Sequence, residues 1–195
     1  MTYLLLMVLA VTPPEIYVET YDIDTPTYDE VLLEAIHNCR GVDPEKVDIK
    51  LLEELIEIEQ EFNVPPKFRG MILAAACQES KYNPNAEGDH RFSKKKKPMA
   101  IGILQLWPIY EKMYPGLDRN NPRDAAIGWM KHIVKQIPKV KRTCGHRTDA
   151  KIWLAAWVTG VRYKKAGGRC YEAPKHHRVL RKWHRNIKIK RANGC

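Results

Sequence analysis

Residues 66–84 read PKFRGMILAAACQESKYNP, and this stretch decides the fold. Pro66 suits the first turn of a helix, where a missing N–H costs nothing. Asn83-Pro84 stops that helix after about Lys81. The apolar run MILAAAC in its middle makes Cys77 a buried core thiol. At about 100° per residue, Phe68, Ile72, Ala75 and Glu79 share one narrow stripe. Glu79 therefore projects from an apolar face at the C-terminal end of the helix. A carboxylate there loses hydration and faces the unfavourable end of the helix dipole, and both effects raise its pKa. A carboxyl that keeps its proton near neutral pH can act as a general acid. A structural glutamate paired with an arginine fits the same position, and position alone does not separate the two.

Working outward toward the N-terminus, Asp43-Pro44-Glu45 signals the start of a helix. It continues through Ile49, Leu52, Leu55, Ile56 and Ile58 with carboxylates interleaved, an amphipathic pattern, until Asn63 to Pro66 breaks it. An earlier helix covers Tyr28 to Asn38 and ends before Gly41. Residues 12–30 are acidic and rich in Pro, Thr and Tyr, and read as an extended linker. Tyr3 to Val11 is apolar but too short to span a bilayer. It has the look of an export h-region without a positive n-region, or of an apolar segment packed on the domain.

Toward the C-terminus, Gly88 to Pro98 is a polar loop with four consecutive lysines, and Ala100 to Trp107 is short and apolar. Arg123 to Val140, Asp149 to about Val158 and Lys175 to Ile187 read as helices. No alternating run demands a sheet, so the chain is mainly α. It divides into an N-terminal apolar segment, acidic linker and helix (1–47), a principal domain (48–187) and a basic tail (188–195).

Charge is unevenly spread. Glu15 to Glu61 holds fifteen acidic and three basic residues, whereas Phe62 to Cys195 holds eight acidic and thirty basic ones. Such asymmetry points to an acidic segment docking on a basic body, or to a body that seeks a polyanion. Among the five cysteines, Cys144 and Cys170 flank one helical segment and can pair in an oxidising compartment. The spacing of Cys144, His146, Cys170, His176 and His177 matches no standard zinc site, so neither metal nor other cofactor is expected.

The string Glu79-Ser80-x-x-Asn83-Pro84-x-Ala86, then a loop and Ala100-Ile101-Gly102-Ile103-Leu104-Gln105-Leu106-x-Pro108, resembles the lytic transglycosylase domain of the goose-type lysozyme superfamily. Asp118-Arg119-x-x-Pro122 looks like the family's next landmark. Ala155-Ala156-Trp157-Val158-Thr159-Gly160 stands where the family usually has Ala-Tyr-Asn-Ala-Gly. The resemblance covers about residues 48–187. It implies a lysozyme-like helical domain, preceded by an acidic helical extension, that cleaves the MurNAc–GlcNAc bond of peptidoglycan. Glu79 would be the sole catalytic residue, first as acid and then as base, and the product would carry a 1,6-anhydro end.

The resemblance also assigns the cleft. Gln105 would hydrogen-bond a glycan substituent, and Ser80 would hold the Glu79 carboxylate or cap the helix. Trp157 replaces the usual tyrosine and keeps an aromatic wall without a hydroxyl; Tyr163 is the candidate to supply one. A hydrolytic muramidase would need a second carboxylate, for which Glu87 and Asp89 are the nearby candidates, although both read as surface charges. A catalytically weak glycan-binding module of a virion or secretion apparatus is the rival outside enzymes. Val179, Trp183 and Ile187 form one stripe of the last helix, so Trp183 docks on the core and the cations face solvent. Glycan strands, with anionic cell-envelope polymers beside them, are the expected partners rather than nucleic acid. The expected location is exported or virion-associated.

Overall fold

A computed structural model describes residues 25–93, 95–145, 148–159 and 175–194. The apolar N-terminal segment, most of the acidic linker, Gly160, Tyr163 and Cys170 lie outside the described residues, as do the side chains of Val158 and Thr159. The described chain is mainly α-helical. It comprises α1 (Tyr28–Asn38), α2 (Ile49–Glu61), α3 (Met71–Ser80), α4 (Ile109–Met113), α5 (Pro122–Cys144), α6 (Asp149–Thr159) and α7 (Lys175–Ala192). A minimal antiparallel hairpin pairs β1 (Glu87–Gly88) with β2 (Ala100–Ile101). Among the described residues no helix is long and apolar enough to cross a membrane.

Helix α3 is the axis of the core. Every residue from Met71 to Cys77 is buried, because α1, α2 and α7 all pack against this helix, and an element apolar on all sides must be enclosed. The helix is shorter than its sequence suggests. Pro66–Phe68 forms a separate 3-10 turn, and Gly70 adopts φ 85° before Met71 starts the α-helix. A Cβ at Gly70 would stand 2.2 Å from Val31 Cγ1, so α1 approaches as closely as a glycine allows. The helix before it is likewise split: Pro44–Lys46 is a 3-10 turn, and Asp48 caps α2 by accepting from Leu51 N–H.

Two contacts overturn local readings of the sequence. Cys77 is no free thiol: it forms a disulfide with Cys39, at the C-cap of α1. Closing the 38-residue separation contributes stability of about 4 kcal/mol on the chain-entropy view. Cys144 is disulfide-bonded too. Glu59, one of the carboxylates interleaved along amphipathic α2, is 0% exposed. It accepts hydrogen bonds from the N–H groups of Gly70 and Ile72 at 2.6 and 2.9 Å, satisfying the open start of α3. Burial outweighs those bonds and pushes its carboxyl up to about 7.

The charge asymmetry has a structural counterpart. Acidic α1 docks on basic α7, with Glu34 paired to Lys190 and also bonded by Asn186 at 3.1 Å. Glu30 pairs with Arg191 at 2.5 Å, and this partner holds its carboxyl well below the usual range, at about 2. Helix α7 runs on to Ala192, five residues beyond the expected end at Ile187, and much of the basic tail is therefore helical. Trp183 is buried in the core, as its apolar stripe suggests.

Candidate active site

Glu79 sits in the last turn of α3, where Lys81 closes the helix in the left-handed conformation. Its side chain is 24% exposed and opens into a cleft of about 570 Å³. The facing wall is the hairpin and the turn after it. Gly102 (φ 75°) donates to Ala86 C=O at 2.9 Å, and a Cβ there would meet Arg119 O at 2.2 Å. The Arg119 guanidinium reaches back to Met99 C=O and Leu106 C=O and pairs with Glu111. The Asp118-Arg119 landmark thus fastens the wall, and Asn121-Pro122 after it starts α5 with an Asn cap.

Gln105 lines the cleft, but its amide nitrogen is already committed. It donates to Ala86 C=O at 2.9 Å and Gly102 C=O at 3.0 Å from a residue at φ 49°. Its local role is to hold the wall. Ser80 does not touch the Glu79 carboxylate; its hydroxyl donates to Ala76 C=O, one turn back in its own helix, at 3.1 Å. Trp157 reaches the cleft from α6 and is only 6% exposed, with its ring edge-on to Phe68 and Trp129. It is a core residue whose edge forms part of the cleft.

Asp89 lines the same cleft, with its carboxylate accepting from Trp107 Nε1 at 3.0 Å. Glu87 is exposed on β1 and lies off the cleft lining. Trp107 packs on Phe92 with ring centroids 5.5 Å apart, giving the cleft an aromatic rim of the kind that suits sugar rings.

The residue that sequence reading missed is His176, at the start of α7. Its Nε2 lies 2.5 Å from Glu79 Oε1, and Lys175 Nζ lies 3.1 Å from the same oxygen. The His176 ring is stacked on Trp157, with centroids 6.0 Å apart and planes 17° apart. These contacts reverse the expected electrostatics of Glu79. Burial pushes its carboxyl up, but the His176 hydrogen bond and charge, with Lys175 added, pull harder and leave it below the ordinary value. The apolar helix face accounts for the desolvation, whereas the groups that outweigh it arrive from 96 and 97 residues away. The only hint in sequence was a Lys-His-His cluster at the head of an otherwise solvated cationic helix.

Comparison with known proteins finds no matching family model, no matching curated protein and no matching solved structure. The chemistry of the cleft therefore rests on its own residues.

A second, larger cavity of about 770 Å³ lies along the other side of α7. Lys67, Arg178, Arg181, Lys182, Arg185 and Lys188 line it, and among the described residues no carboxylate does. Its Phe68 ring is buried, and the imidazoles of His177 and His184 also line it.

Proposed function

We propose that this chain is a lysozyme-like domain that cleaves the MurNAc–GlcNAc bond of peptidoglycan by lytic transglycosylase chemistry. The observation that carries the reading is a half-buried carboxylate, Glu79, ending a buried helix opposite the Gly102–Gln105 wall. Glu79 Oε2 has no hydrogen-bond partner among the described residues and is the oxygen left for substrate. As acid, the protonated fraction of Glu79, made smaller by His176 and Lys175, protonates the leaving glycosidic oxygen. As base, it takes the proton of the sugar's C6 hydroxyl as that oxygen attacks the anomeric carbon, closing a 1,6-anhydro ring.

Asp89 supports a second reading, since a carboxylate in the same cleft is what a water-using muramidase requires. The cationic groove beside Lys67 and Arg181 fits the anionic polymers that accompany glycan strands in an envelope, and an exported or virion-borne protein is compatible with the Cys39–Cys77 disulfide. Mass spectrometry of products from purified peptidoglycan tests the assignment. Anhydro ends support the lyase, and reducing ends made with Asp89 intact but not with Asp89→Asn support the muramidase. Binding without any product would reduce the domain to a glycan-binding module.

A further inference from the structure

We propose that His176 is a positioning residue for Glu79: together with Lys175 it occupies Oε1, and so confines the transferable proton and the substrate contact to Oε2. The inference rests on Glu79 being the acid of this cleft and concerns how that acid is aimed. Both side chains converge on one oxygen, Nε2 of His176 at 2.5 Å and Nζ of Lys175 at 3.1 Å, while Oε2 keeps no partner among the described residues. A proton added to the carboxyl cannot sit on Oε1 without displacing these donors. It goes to Oε2, on the free side.

The imidazole is built to hold this arrangement. Its side chain is 16% exposed and stacked on the Trp157 ring. Its Nδ1 is buried with no hydrogen-bond partner among the described residues. An N–H at Nδ1 would thus be left unsatisfied at a cost, which favours the tautomer carrying hydrogen on Nε2 and aimed at Glu79. Trp157 Nε1 is buried without a partner as well, so Trp157 serves as a platform and not as a donor. In the resembled family a tyrosine stands at this position. Here the aromatic surface remains on α6, and the donor beside the acid comes from α7.

During cleavage the O–H bond at Oε2 breaks as its proton bonds to the leaving glycosidic oxygen, and the carboxylate so formed keeps the His176 and Lys175 hydrogen bonds on Oε1. In the second step Oε2 takes up the proton of the attacking hydroxyl, which restores the starting state. His176 neither gains nor loses a proton. It stabilises the anion on which both steps turn, and the balance requires no further reactant.

Among the described residues, the other titratable groups lining the cleft are Asp89, from the loop after β1, and Tyr110, from α4, where burial raises the phenol. Neither bonds to Glu79. The His176 contribution can therefore be read from pH profiles of glycan cleavage. A general acid loses activity as pH rises through its pKa. His176→Phe removes the donor while burial still pushes the carboxyl up, so the alkaline limb should move to higher pH. At its own optimum this variant should turn over about tenfold more slowly, a fraction of the general-acid contribution, with KM nearly unchanged. His176→Gln, which restores an N–H donor, should lie between wild type and His176→Phe. Lys175 is 62% exposed, so Lys175→Met leaves folding intact and should move the limb in the same direction by less. An unmoved limb in Lys175→Met and His176→Gln, or a loss that is uniform across pH, overturns the proposal. Cleavage that survives Glu79→Gln overturns the underlying reading instead, and so the two failures are distinguishable.

Discussion

Helix α3 has a carboxylate at each end, and the two behave in opposite ways. Glu59, lent by α2, meets the N-terminal end, where the helix dipole and two backbone N–H groups favour an anion. Even so its carboxyl is pushed up to about 7, because it is fully buried and burial outweighs its hydrogen bonds. Glu79 stands at the C-terminal end, where the dipole disfavours an anion, yet it is held below its ordinary value by His176 and Lys175. Desolvation and full charges at 3 Å outweigh the fractional charge of a helix end. The buried carboxylate organises the fold, and the partnered one faces the cleft.

The comparison is broken most directly by exchanging the two acids for amides. Glu79→Gln keeps the shape and removes the transferable proton, so glycan cleavage should fall at least about a hundredfold. Glu59→Gln should leave turnover of the folded protein close to wild type. Equal losses in both variants, measured on the same peptidoglycan, would mean that the ends of α3 are not functionally distinct.

Trp157 sharpens the same contrast, since it carries the ring that orients His176. Its near-complete burial makes Trp157→Ala a core truncation, expected to destabilise by about 3–5 kcal/mol in denaturant titration. The surviving folded fraction should also cleave more slowly, because the imidazole has lost its platform.

A smaller effect belongs to Glu59 and to stability. Its folded pKa lies above the ordinary 4.5, so the native state binds more protons than the unfolded chain between there and about 7. That stabilisation is complete at low pH and lost as pH rises through about 7. Chemical denaturation across this window should give a downward slope for wild type that Glu59→Gln flattens. An identical slope in both would assign the dependence to other groups.

The smallest effect concerns the cationic groove on α7. Binding to whole cell walls should weaken as salt rises into the range where surface charges are screened, whereas cleavage of short uncharged glycan fragments should hardly change. Tighter binding to single-stranded DNA than to a base-free polyphosphate of matched charge would turn the groove into a nucleic-acid site.

Much of this organisation is written locally. Helix α1 spans the residues its sequence predicts, and α5 and α6 differ from their predicted bounds by a few residues at most, because apolar spacing, Asn121-Pro122 and similar caps act within one or two turns. The partial burial of Glu79 followed from its helix face. The breaks at Val47 and Gly70 were not visible, since each depends on what packs against the turn; at Gly70 it is Val31, from another helix. The reading of Gln105 was incomplete for a similar reason: its donors are taken by carbonyls that only the folded hairpin brings within reach.

The sequence by itself therefore determined the helical class, the buried run of α3 and a carboxylate at the end of that helix, all consequences of short-range periodicity and capping. Only the tertiary structure decided the protonation and aim of that carboxylate. Coulombic and hydrogen-bonding partners act through space, and those of Glu79 come from a helix that begins 96 residues farther along the chain. The same holds for the Cys39–Cys77 disulfide and for buried Glu59, each set by which helix happens to lie across from it.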